Sequence, residues 1–265
     1  MNRDRGMNRE QRPIALITGV GRRRSIGATL ALALAEEGWD LALNYWTPYN
    51  ERLGLERDAD APAAVAEECR ALGAVVELLP GDLADPEVPA ALIGDAADRL
   101  GPLTGLVMSH CESVDSALLD TGLESWDRHF AVNARASWLL IKAFADRLPV
   151  LDEPGRAEAR IVALTSDHVA YNLPYGASKG ALDRIVIAAA TELADRGVRA
   201  NVINPGPVDT GWMSDEVRAW CLRETAAGRL GTAQDTANLV RFLFSDAGSW
   251  INGQLLHSDG GFKIG

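Results

Sequence analysis

A tyrosine and a lysine stand four residues apart in Tyr175-Gly-Ala-Ser-Lys179, at the start of a long run with apolar periodicity. If Tyr175 to about Asp195 is a helix, the two side chains share one face, because positions i and i+4 lie one turn apart. A free tyrosine has a pKa near ~10, and an adjacent ammonium would lower that pKa by favouring the phenolate. The pair therefore predicts a tyrosine that exchanges a proton with a substrate. The alternative is an ordinary helix face, on which the same two residues are common.

The composition describes a globular protein with a sizeable core. The chain has 265 residues, of which 47% are hydrophobic and 24% charged, and this length suits one large α/β domain or two small ones. The net charge of −11 argues against nucleic acid as the main partner, because phosphate binding requires a basic surface. No apolar run reaches the roughly 18 residues that span a bilayer, so we expect no membrane partner.

Two further features bear on the compartment. Residues Met1 to Arg12 are polar and charged, without the apolar core of a secretory signal, and we predict a disordered tail there. The three cysteines, Cys69, Cys111 and Cys221, are scattered without ligand spacing, so they suggest neither a disulfide framework nor a metal site. We therefore expect a reduced, cytoplasmic protein that binds no metal.

Short apolar runs alternate with helical patterns along residues 13–265. We predict strands at Ile14–Thr18, Asp40–Asn44, Val75–Pro80, Gly105–Met108, Arg160–Leu164, Arg199–Ile203 and Gln254–His257. We predict helices near Ile26–Glu37, Ala61–Leu72, Pro86–Leu100, Glu124–Leu148, Tyr175–Asp195 and Ala233–Ser245, and one long insertion, Trp46–Pro62, after the second strand. This alternation indicates a single α/β domain, a Rossmann-type, doubly wound parallel sheet of about seven strands with helices on both faces.

The first predicted strand ends in the glycine-rich segment Thr18-Gly-Val-Gly-Arg-Arg-Arg-Ser-Ile-Gly27. Gly19 permits a tight turn, Gly21 keeps the loop thin, and Gly27 lets the following helix pack closely. Since the N-terminus of that helix presents free N–H groups to an anion, the segment predicts a site for a dinucleotide pyrophosphate. An ordinary strand-to-helix turn is the alternative.

The second predicted strand ends in Asn44 and Tyr45, without the acid that holds the ribose hydroxyls in NAD-binding domains. Three arginines, Arg22, Arg23 and Arg24, lie in the glycine loop instead. Because guanidinium groups bind phosphate in a bidentate manner, we predict NADP(H) rather than NAD(H) as the preferred cofactor. The alternative is that the arginines are simply solvated, which must hold for at least one of them.

Several segments occur in the order in which the short-chain dehydrogenase/reductase family carries its motifs. They are Thr18-Gly19 with Ile26-Gly27, Gly81-Asp82-Leu83, Trp126-Asp127 with Val132-Asn133, Leu164-Thr165-Ser166, Tyr175 with Lys179, Asn204-Pro-Gly-Pro-Val-Asp-Thr210, Trp250-Ile-Asn-Gly-Gln254 and Asp259-Gly-Gly261. The chain resembles this family from about Pro13 to Ile264.

The resemblance implies hydride transfer between a nicotinamide and a carbonyl or alcohol carbon. It implies that Tyr175 is the general acid, that Ser166 hydrogen-bonds the substrate oxygen, that Lys179 holds the nicotinamide ribose and that Asn133 anchors a water relay. A solvated helix face for Asn133 and a loop-capping role for Ser166 are the alternatives. The predicted cofactor-binding residues are Gly19, Gly21, Arg22, Arg23, Arg24, Ser25, Ile26, Gly27, Asn44, Asp82, Leu83, Ser109, Lys179, Pro205, Gly206, Val208 and Thr210.

The chain departs from the family pattern at three places. Ser25 replaces the second glycine of the cofactor loop, which is longer than its commonest form. The segment Met108-Ser109-His110-Cys111 replaces the family's Asn-Asn-Ala-Gly, and we expect its side chains to pack against the cofactor. Ser166 precedes Tyr175 by only nine residues, so Thr165 is the alternative hydroxyl.

The remaining expectations concern the substrate side and the surface. Trp212, Met213 and Trp220 flank a predicted lid, Thr210–Arg229, where they form either an apolar substrate wall or packing contacts of the lid. Members of the family usually pair the helices at Glu124–Leu148 and Tyr175–Asp195, so we expect a homo-oligomer, a dimer or a tetramer.

Three functions fit these residues. The first is an NADPH-dependent reductase of a ketone or β-ketoacyl substrate, and the second is an alcohol or sugar dehydrogenase that works in the oxidising direction. The third is a non-catalytic nucleotide-binding protein with the same fold, against which the intact Tyr175, Lys179 and Asn133 set argues. The sequence therefore predicts a small carbonyl or alcohol substrate without naming the molecule.

Overall fold

The computed structural model describes residues 12–55, 59–151 and 158–262. The predicted tail therefore lies outside the described residues except for Arg12. The Arg12 guanidinium forms an ion pair with Asp40 at 2.9 Å and donates to the Trp39 carbonyl oxygen at 3.2 Å. Arg12 thus belongs to the folded part of the chain rather than to the tail.

Seven parallel strands form one sheet in the described part of the chain. They are β1 (Ile14–Thr18), β2 (Asp40–Tyr45), β3 (Val76–Pro80), β4 (Gly105–Met108), β5 (Ala159–Leu164), β6 (Val198–Asn204) and β7 (Leu255–His257). Every residue of β1 and β5 is buried, as expected for strands that helices cover on both faces. The predicted strands are confirmed, and each boundary lies within one residue of its predicted place.

The helices of the described residues follow the apolar periodicity, with one exception. They are α1 (Ile26–Glu36), α2 (Pro48–Arg52), α3 (Ala61–Ala71), α4 (Val88–Leu100), α5 (Leu123–His129), α6 (Ala136–Asp146), α7 (Leu173–Glu192), α8 (Asp215–Glu224) and α9 (Ala233–Phe244). The predicted helical stretch Glu124–Leu148 is confirmed, but it contains a π-helical segment, Phe130–Arg135, between α5 and α6. None of the helices in the described ranges is long and apolar enough to cross a membrane.

The strand order places the ends of β1 and β4 side by side. The order is β3-β2-β1-β4-β5-β6-β7, so the sheet grows in one direction from β1 to β3 and in the other from β4 to β7. Thr18 pairs with Met108, and Met108 pairs with Ala163, so the carboxyl ends of these strands meet at one edge. Doubly wound sheets bind ligands in the crevice where the strand order reverses.

Each face of the sheet has its own apolar core. On one face, Leu16, Leu106 and Ile161 pack with the buried side chains of α4, α6 and α7. On the other face, Ile17 and Val162 pack with those of α1, α3 and α9. The loops at the carboxyl edge therefore project from a core that is packed on both sides.

Two short helices lie outside the alternating pattern. Helix α2 lies within the predicted insertion Trp46–Pro62, and α8 lies within the predicted lid Thr210–Arg229. Ser214 caps α8, since its side chain accepts a hydrogen bond from the N–H of Val217 at 3.2 Å. Both helices follow strands at the carboxyl edge, so both border the crevice.

Candidate active site

The carboxyl edge of β5 brings Lys179 into contact with the sheet. Lys179 lies in the second turn of α7 and is only 3% exposed, and its Nζ donates to the carbonyl oxygen of Leu164 at 2.8 Å. The same Nζ lies 5.8 Å from the centroid of the Tyr175 ring. The two side chains therefore share one helix face, and one backbone carbonyl fixes the ammonium beside the ring.

Burial decides the protonation of this pair. Burial raises the pKa of the Tyr175 phenol above its usual value, as does the neighbouring Cys111, whereas a hydrogen bond from Ser166 lowers it. Burial also lowers the pKa of the Lys179 ammonium. Burial thus outweighs any lowering of the Tyr175 pKa by Lys179 and favours the protonated phenol.

The amide of Asn133 makes three hydrogen bonds inside the protein. Its Oδ1 accepts from the Glu112 N–H at 2.7 Å, while its Nδ2 donates to the Glu112 carbonyl at 2.9 Å and to Ser178 Oγ at 2.8 Å. Ser178 Oγ in turn donates to the Tyr175 carbonyl at 2.8 Å. Asn133 is fully buried, so the alternative of a solvated helix face is wrong.

The two hydroxyls after β5 point to different places. Ser166 hydrogen-bonds the Tyr175 phenol, and its Oγ also accepts from the His168 N–H at 3.2 Å. Thr165 is buried, and its Oγ1 donates to the Lys179 carbonyl of α7 at 3.5 Å. Ser166 is therefore the hydroxyl on the side of Tyr175, in spite of the short loop.

The glycine loop is packed too tightly for larger residues. Gly19 has φ +81°, and a Cβ there would lie 2.8 Å from the backbone of Ser109 and His110. A Cβ on Gly27 would lie 2.7 Å from the Gly19 carbonyl oxygen. Ser25 caps α1, because its Oγ accepts from the Ala28 N–H at 3.0 Å.

The loop and the start of α1 suit a pyrophosphate. The N–H groups in the first turn of a helix have no partner within the helix, so those of Ile26 and Gly27 are donors available to an anion. A Cβ on Gly21 would meet only the Asn50 side chain, at the ordinary contact distance of 3.5 Å, so the packing of this loop does not itself require a glycine there. The residues at this edge therefore fit a dinucleotide.

The three loop arginines each have a different partner. Arg22 donates to the Thr210 carbonyl at 3.1 Å, Arg23 pairs with Glu68 of α3 at 3.3 Å, and Arg24 approaches Asp209 at 3.8 Å. Arg22 and Arg24 thus contact the segment after β6, while Arg23 lies on the side of α3.

The predicted cofactor-binding residues at the ends of β2, β3 and β4 make different contacts in the fold. Asn44 Nδ2 donates to the carbonyls of Leu79 at 3.1 Å and Gly81 at 3.3 Å, so this amide joins β2 to β3. Asp82 pairs with Arg128 at 3.2 Å. The Leu83 side chain belongs to the apolar core, and the Ser109 N–H donates to Thr18 Oγ1 at 3.2 Å.

The segment after β6 is fixed at both ends. Gly206 has φ +62°, and a Cβ there would lie 2.5 Å from Asp259 Cβ, so Pro205 and Gly206 run directly beside the C-terminal motif. Val208 forms a bridge with Gly231, and Thr210 is buried. In the lid, Trp220 packs edge-on against Phe262 at 5.5 Å, whereas Trp212 is exposed. Trp220 is therefore a packing residue of the lid.

His110 connects the glycine loop to the π-helical segment. Its Nδ1 lies 2.6 Å from Thr18 Oγ1, and its Nε2 lies 3.1 Å from the Val132 carbonyl oxygen. The carbonyl can only accept, so Nε2 carries the proton and Nδ1 accepts from the threonine. The sequence indicated local packing here and gave no sign of this role, because both partners are distant in sequence.

Sequence patterns also missed the side chains that join the insertion to the site. Asn50 of α2 donates to the Gly21 carbonyl at 3.2 Å. Arg52 of α2 donates to both carboxylate oxygens of Glu112 at 2.7 and 2.6 Å. In the sequence, the only sign of these contacts was a charged residue, Glu112, in the loop that follows the buried strand β4.

Comparisons with known proteins agree with this architecture. Residues 19–263 match the model of a family described as enoyl-(acyl carrier protein) reductase. The chain is 32% identical over 263 residues to the uncharacterized oxidoreductase YjdA of Bacillus subtilis, covering 98% of this chain and 100% of that protein. It is 31% identical to the 3-oxoacyl-[acyl-carrier-protein] reductase FabG of Staphylococcus aureus, covering 94% of this chain and 98% of that protein.

Solved structures show the same fold. A blue fluorescent protein from a metagenomic library, in complex with NADPH, superposes with a TM-score of 0.83 at 27% identity, over 97% of this chain and 100% of that one. A dehydrogenase/reductase from Sinorhizobium meliloti superposes with a TM-score of 0.83 at 30% identity, over 95% of each chain. The chain therefore belongs to the short-chain dehydrogenase/reductase family, and it is an oxidoreductase with a Rossmann-type fold.

The buried position of His110 predicts that the protein loses stability in acid. Burial lowers the pKa of His110 to about 3, and the nearby Lys179 lowers it too, whereas the hydrogen bond to Val132 raises it. Since the unfolded chain binds this proton near pH ~6.5, the neutral imidazole favours folding above that pH. This contribution of His110 to the free energy of unfolding is lost as the pH falls from about 6.5 towards 3, at about 1.4 kcal/mol per pH unit.

Urea unfolding of the wild type and of His110→Ala, at steps from pH 7 to pH 4, measures this effect. We expect the free energy of unfolding of the variant to be lower at pH 7 but to fall less steeply towards pH 4. Parallel pH profiles for the two proteins would show that His110 is not the group responsible.

Proposed function

We propose that this oxidoreductase reduces a ketone or β-ketoacyl-type carbonyl with NADPH, using Tyr175, Lys179, Ser166 and Asn133. The observation that carries the proposal is the half-buried Tyr175 phenol, which lies beside Lys179 and next to Ser166 and whose pKa is raised by burial. A protonated acid is the form that reduction of a carbonyl requires, because the alkoxide formed must gain a proton. The similarity to FabG, which is named a 3-oxoacyl-[acyl-carrier-protein] reductase, supports the same direction.

Each side chain has a separate part in this chemistry. Ser166 would donate a hydrogen bond to the substrate oxygen and stabilise its developing charge. The raised pKa makes Tyr175 a weak acid. It would still donate the proton, because an alkoxide is a much stronger base than a phenolate. Lys179 has three N–H donors, of which the Leu164 carbonyl takes one. The other two are available for the ribose hydroxyls of a cofactor.

The cofactor proposal depends on the residues of the crevice. NADPH, when bound, would supply the hydride. Ile26 and Gly27 would hold its pyrophosphate, Asp82 its adenine, and the segment Pro205–Thr210 would border its nicotinamide. The similarity to a protein solved with NADPH supports this choice, as does the absence of an acid at the end of β2.

Arg23 is the arginine that we assign to the 2′-phosphate. Arg22 and Arg24 contact the segment after β6, whereas Arg23 lies beside α3, the helix that follows β2 and the insertion. Its ion pair with Glu68 is exposed, and such pairs contribute little. A phosphate can therefore compete for this guanidinium.

Further proposals concern assembly and location. Trp138 is exposed on α6 and lines a surface cavity of about 540 Å³ together with Phe130, Ala134 and Ile185. An apolar surface of this kind suits a second copy of the chain, so we propose a homo-oligomer that pairs α5, α6 and α7. We also propose a cytoplasmic location, from the reduced cysteines.

Replacement of Tyr175 tests the catalytic assignment. We expect Tyr175→Phe to lower the kcat for NADPH oxidation by at least about 100-fold, because the proton donor is removed, with NADPH affinity within about twofold of wild type. The measurement uses a panel of ketones and β-ketoacyl thioesters and follows NADPH absorbance. Tyr171→Phe, which removes an exposed hydroxyl in the same loop, is the control and should keep full activity. Substantial turnover by Tyr175→Phe would refute the role of the phenol.

Replacement of Arg23 tests the cofactor preference. We expect Arg23→Ala to weaken NADPH binding about tenfold and to leave NADH binding unchanged, because only NADPH carries the phosphate, and tenfold is about 1.4 kcal/mol. Fluorescence titrations with each nucleotide give the two dissociation constants. Arg99→Ala is the matched control, because it removes a half-exposed arginine that pairs with Glu77 away from the glycine loop. An unchanged ratio of the two constants in Arg23→Ala would contradict the assignment.

A further inference from the structure

A buried carboxylate lies directly after β4, at a place where the proposed chemistry does not use it. Glu112 is 2% exposed, and burial of an unpaired carboxylate is strongly unfavourable. Two guanidinium groups compensate for it. Arg52 donates to both of its oxygens at 2.7 and 2.6 Å, and Arg128 Nε donates to Oε2 at 3.1 Å.

Each of these arginines connects Glu112 to a different part of the predicted cofactor site. Arg128, on α5, also pairs with Asp82, the predicted adenine contact, at 3.2 Å. Arg52 is the last residue of α2, and the Asn50 side chain of the same helix donates to the Gly21 carbonyl in the glycine loop. The carboxylate thus joins the loops after β1, β2 and β3 across the crevice.

The backbone of Glu112 completes the connection to the catalytic residues. Its N–H and carbonyl both bond the Asn133 amide, at 2.7 and 2.9 Å. The backbone of Glu112 is therefore fixed by the same contacts that fix Asn133, independently of the arginines. Arg52, in contrast, has Glu112 as its carboxylate partner, whereas Arg128 has both Glu112 and Asp82.

Helix α2 depends on tertiary contacts to hold its place. It has five residues, which is too short for a helix to be stable without tertiary contacts. Its contacts with the rest of the chain include the Asn50 bond to Gly21 and the Arg52 ion pair with Glu112. The Arg52 guanidinium also covers the Tyr49 ring at 5.6 Å. Loss of the ion pair should therefore release Arg52 and remove its contact with the Tyr49 ring.

We propose that Glu112 is a positioning residue for cofactor binding, which holds α2 against the glycine loop through Arg52 and orients Asp82 through Arg128. This inference rests on the proposed function, since it concerns the same crevice. Asn50 donates to the Gly21 carbonyl and thereby fixes this peptide group. The N–H groups of the loop and of α1 then remain directed to the pyrophosphate. The position of α2 against the glycine loop is therefore the one in which the protein binds the dinucleotide.

Replacement of Glu112 by glutamine removes the charge and keeps the shape. In the free protein, we expect Glu112→Gln to increase amide hydrogen exchange at residues 49–55 about tenfold, because α2 loses its ion pair. In fluorescence titrations, we expect the dissociation constant for NADPH to rise about tenfold. Glu77→Gln is the matched control, since Glu77 pairs with Arg99 at 3.2 Å on the surface, and it should change neither quantity.

A second variant keeps the test valid if Glu112→Gln does not fold. Arg52→Gln leaves Glu112 paired with Arg128, so the unfolding midpoint should stay near that of the wild type while α2 is released. It should therefore reproduce the faster exchange and part of the loss of NADPH affinity. This combination separates positioning of α2 from a general loss of stability.

The possible results decide the proposal. Unchanged exchange and unchanged NADPH affinity in both variants would overturn it. Tighter NADPH binding in either variant would also overturn it, because α2 would then obstruct the crevice. If the wild type itself does not bind NADPH, the proposed function fails, and Glu112 is then no positioning residue for this cofactor. If the wild type binds and the variants bind equally well, only the inference about Glu112 fails.

Discussion

The ammonium of Lys179 is buried at the carboxyl edge of the sheet, and the surrounding structure compensates for its charge. The Leu164 carbonyl accepts from Nζ at 2.8 Å, and the neighbouring Asp183 favours the charged form, while burial lowers the pKa. Burial also favours the neutral forms of Tyr175 and Asp183, because it raises the pKa values of these two acids. Burial thus shifts all three groups towards their neutral forms, which for Tyr175 is the protonated phenol.

The residues after β4 supply a second set of constraints. His110 joins Thr18 to the Val132 carbonyl in the π-helical segment, and Glu112 joins Asn133 to two arginines. Neighbouring positions of one loop therefore connect the end of β1, the π-helical segment and the insertion. Polar side chains at these positions need specific partners because burial leaves no water to satisfy them. The site is consequently held by hydrogen bonds as well as by apolar packing.

Local patterns account for what the sequence predicted well. The strands appear as short apolar runs and the long helices as 3.6-residue periodicity, so both could be recognised without knowledge of distant contacts. The π-helical segment Phe130–Arg135 keeps the same apolar spacing as an α-helix and escaped detection. Arg52 and Glu112 are 60 residues apart, and no local pattern indicates that they meet. The three loop arginines also appeared equivalent in the sequence. Their partners differ, but these partners are distant in sequence and no local pattern indicates them.

The central claim is that the carboxyl edge of the sheet binds a nicotinamide dinucleotide and prefers NADPH. Fluorescence titration of the wild-type protein with NADPH and, in parallel, with NADH tests it most directly. The account predicts saturable binding of both, with a lower dissociation constant for NADPH, because the Arg23 guanidinium beside α3 would favour the phosphate. Saturation with neither nucleotide would contradict the account, and tighter binding of NADH would contradict the assignment of the arginine.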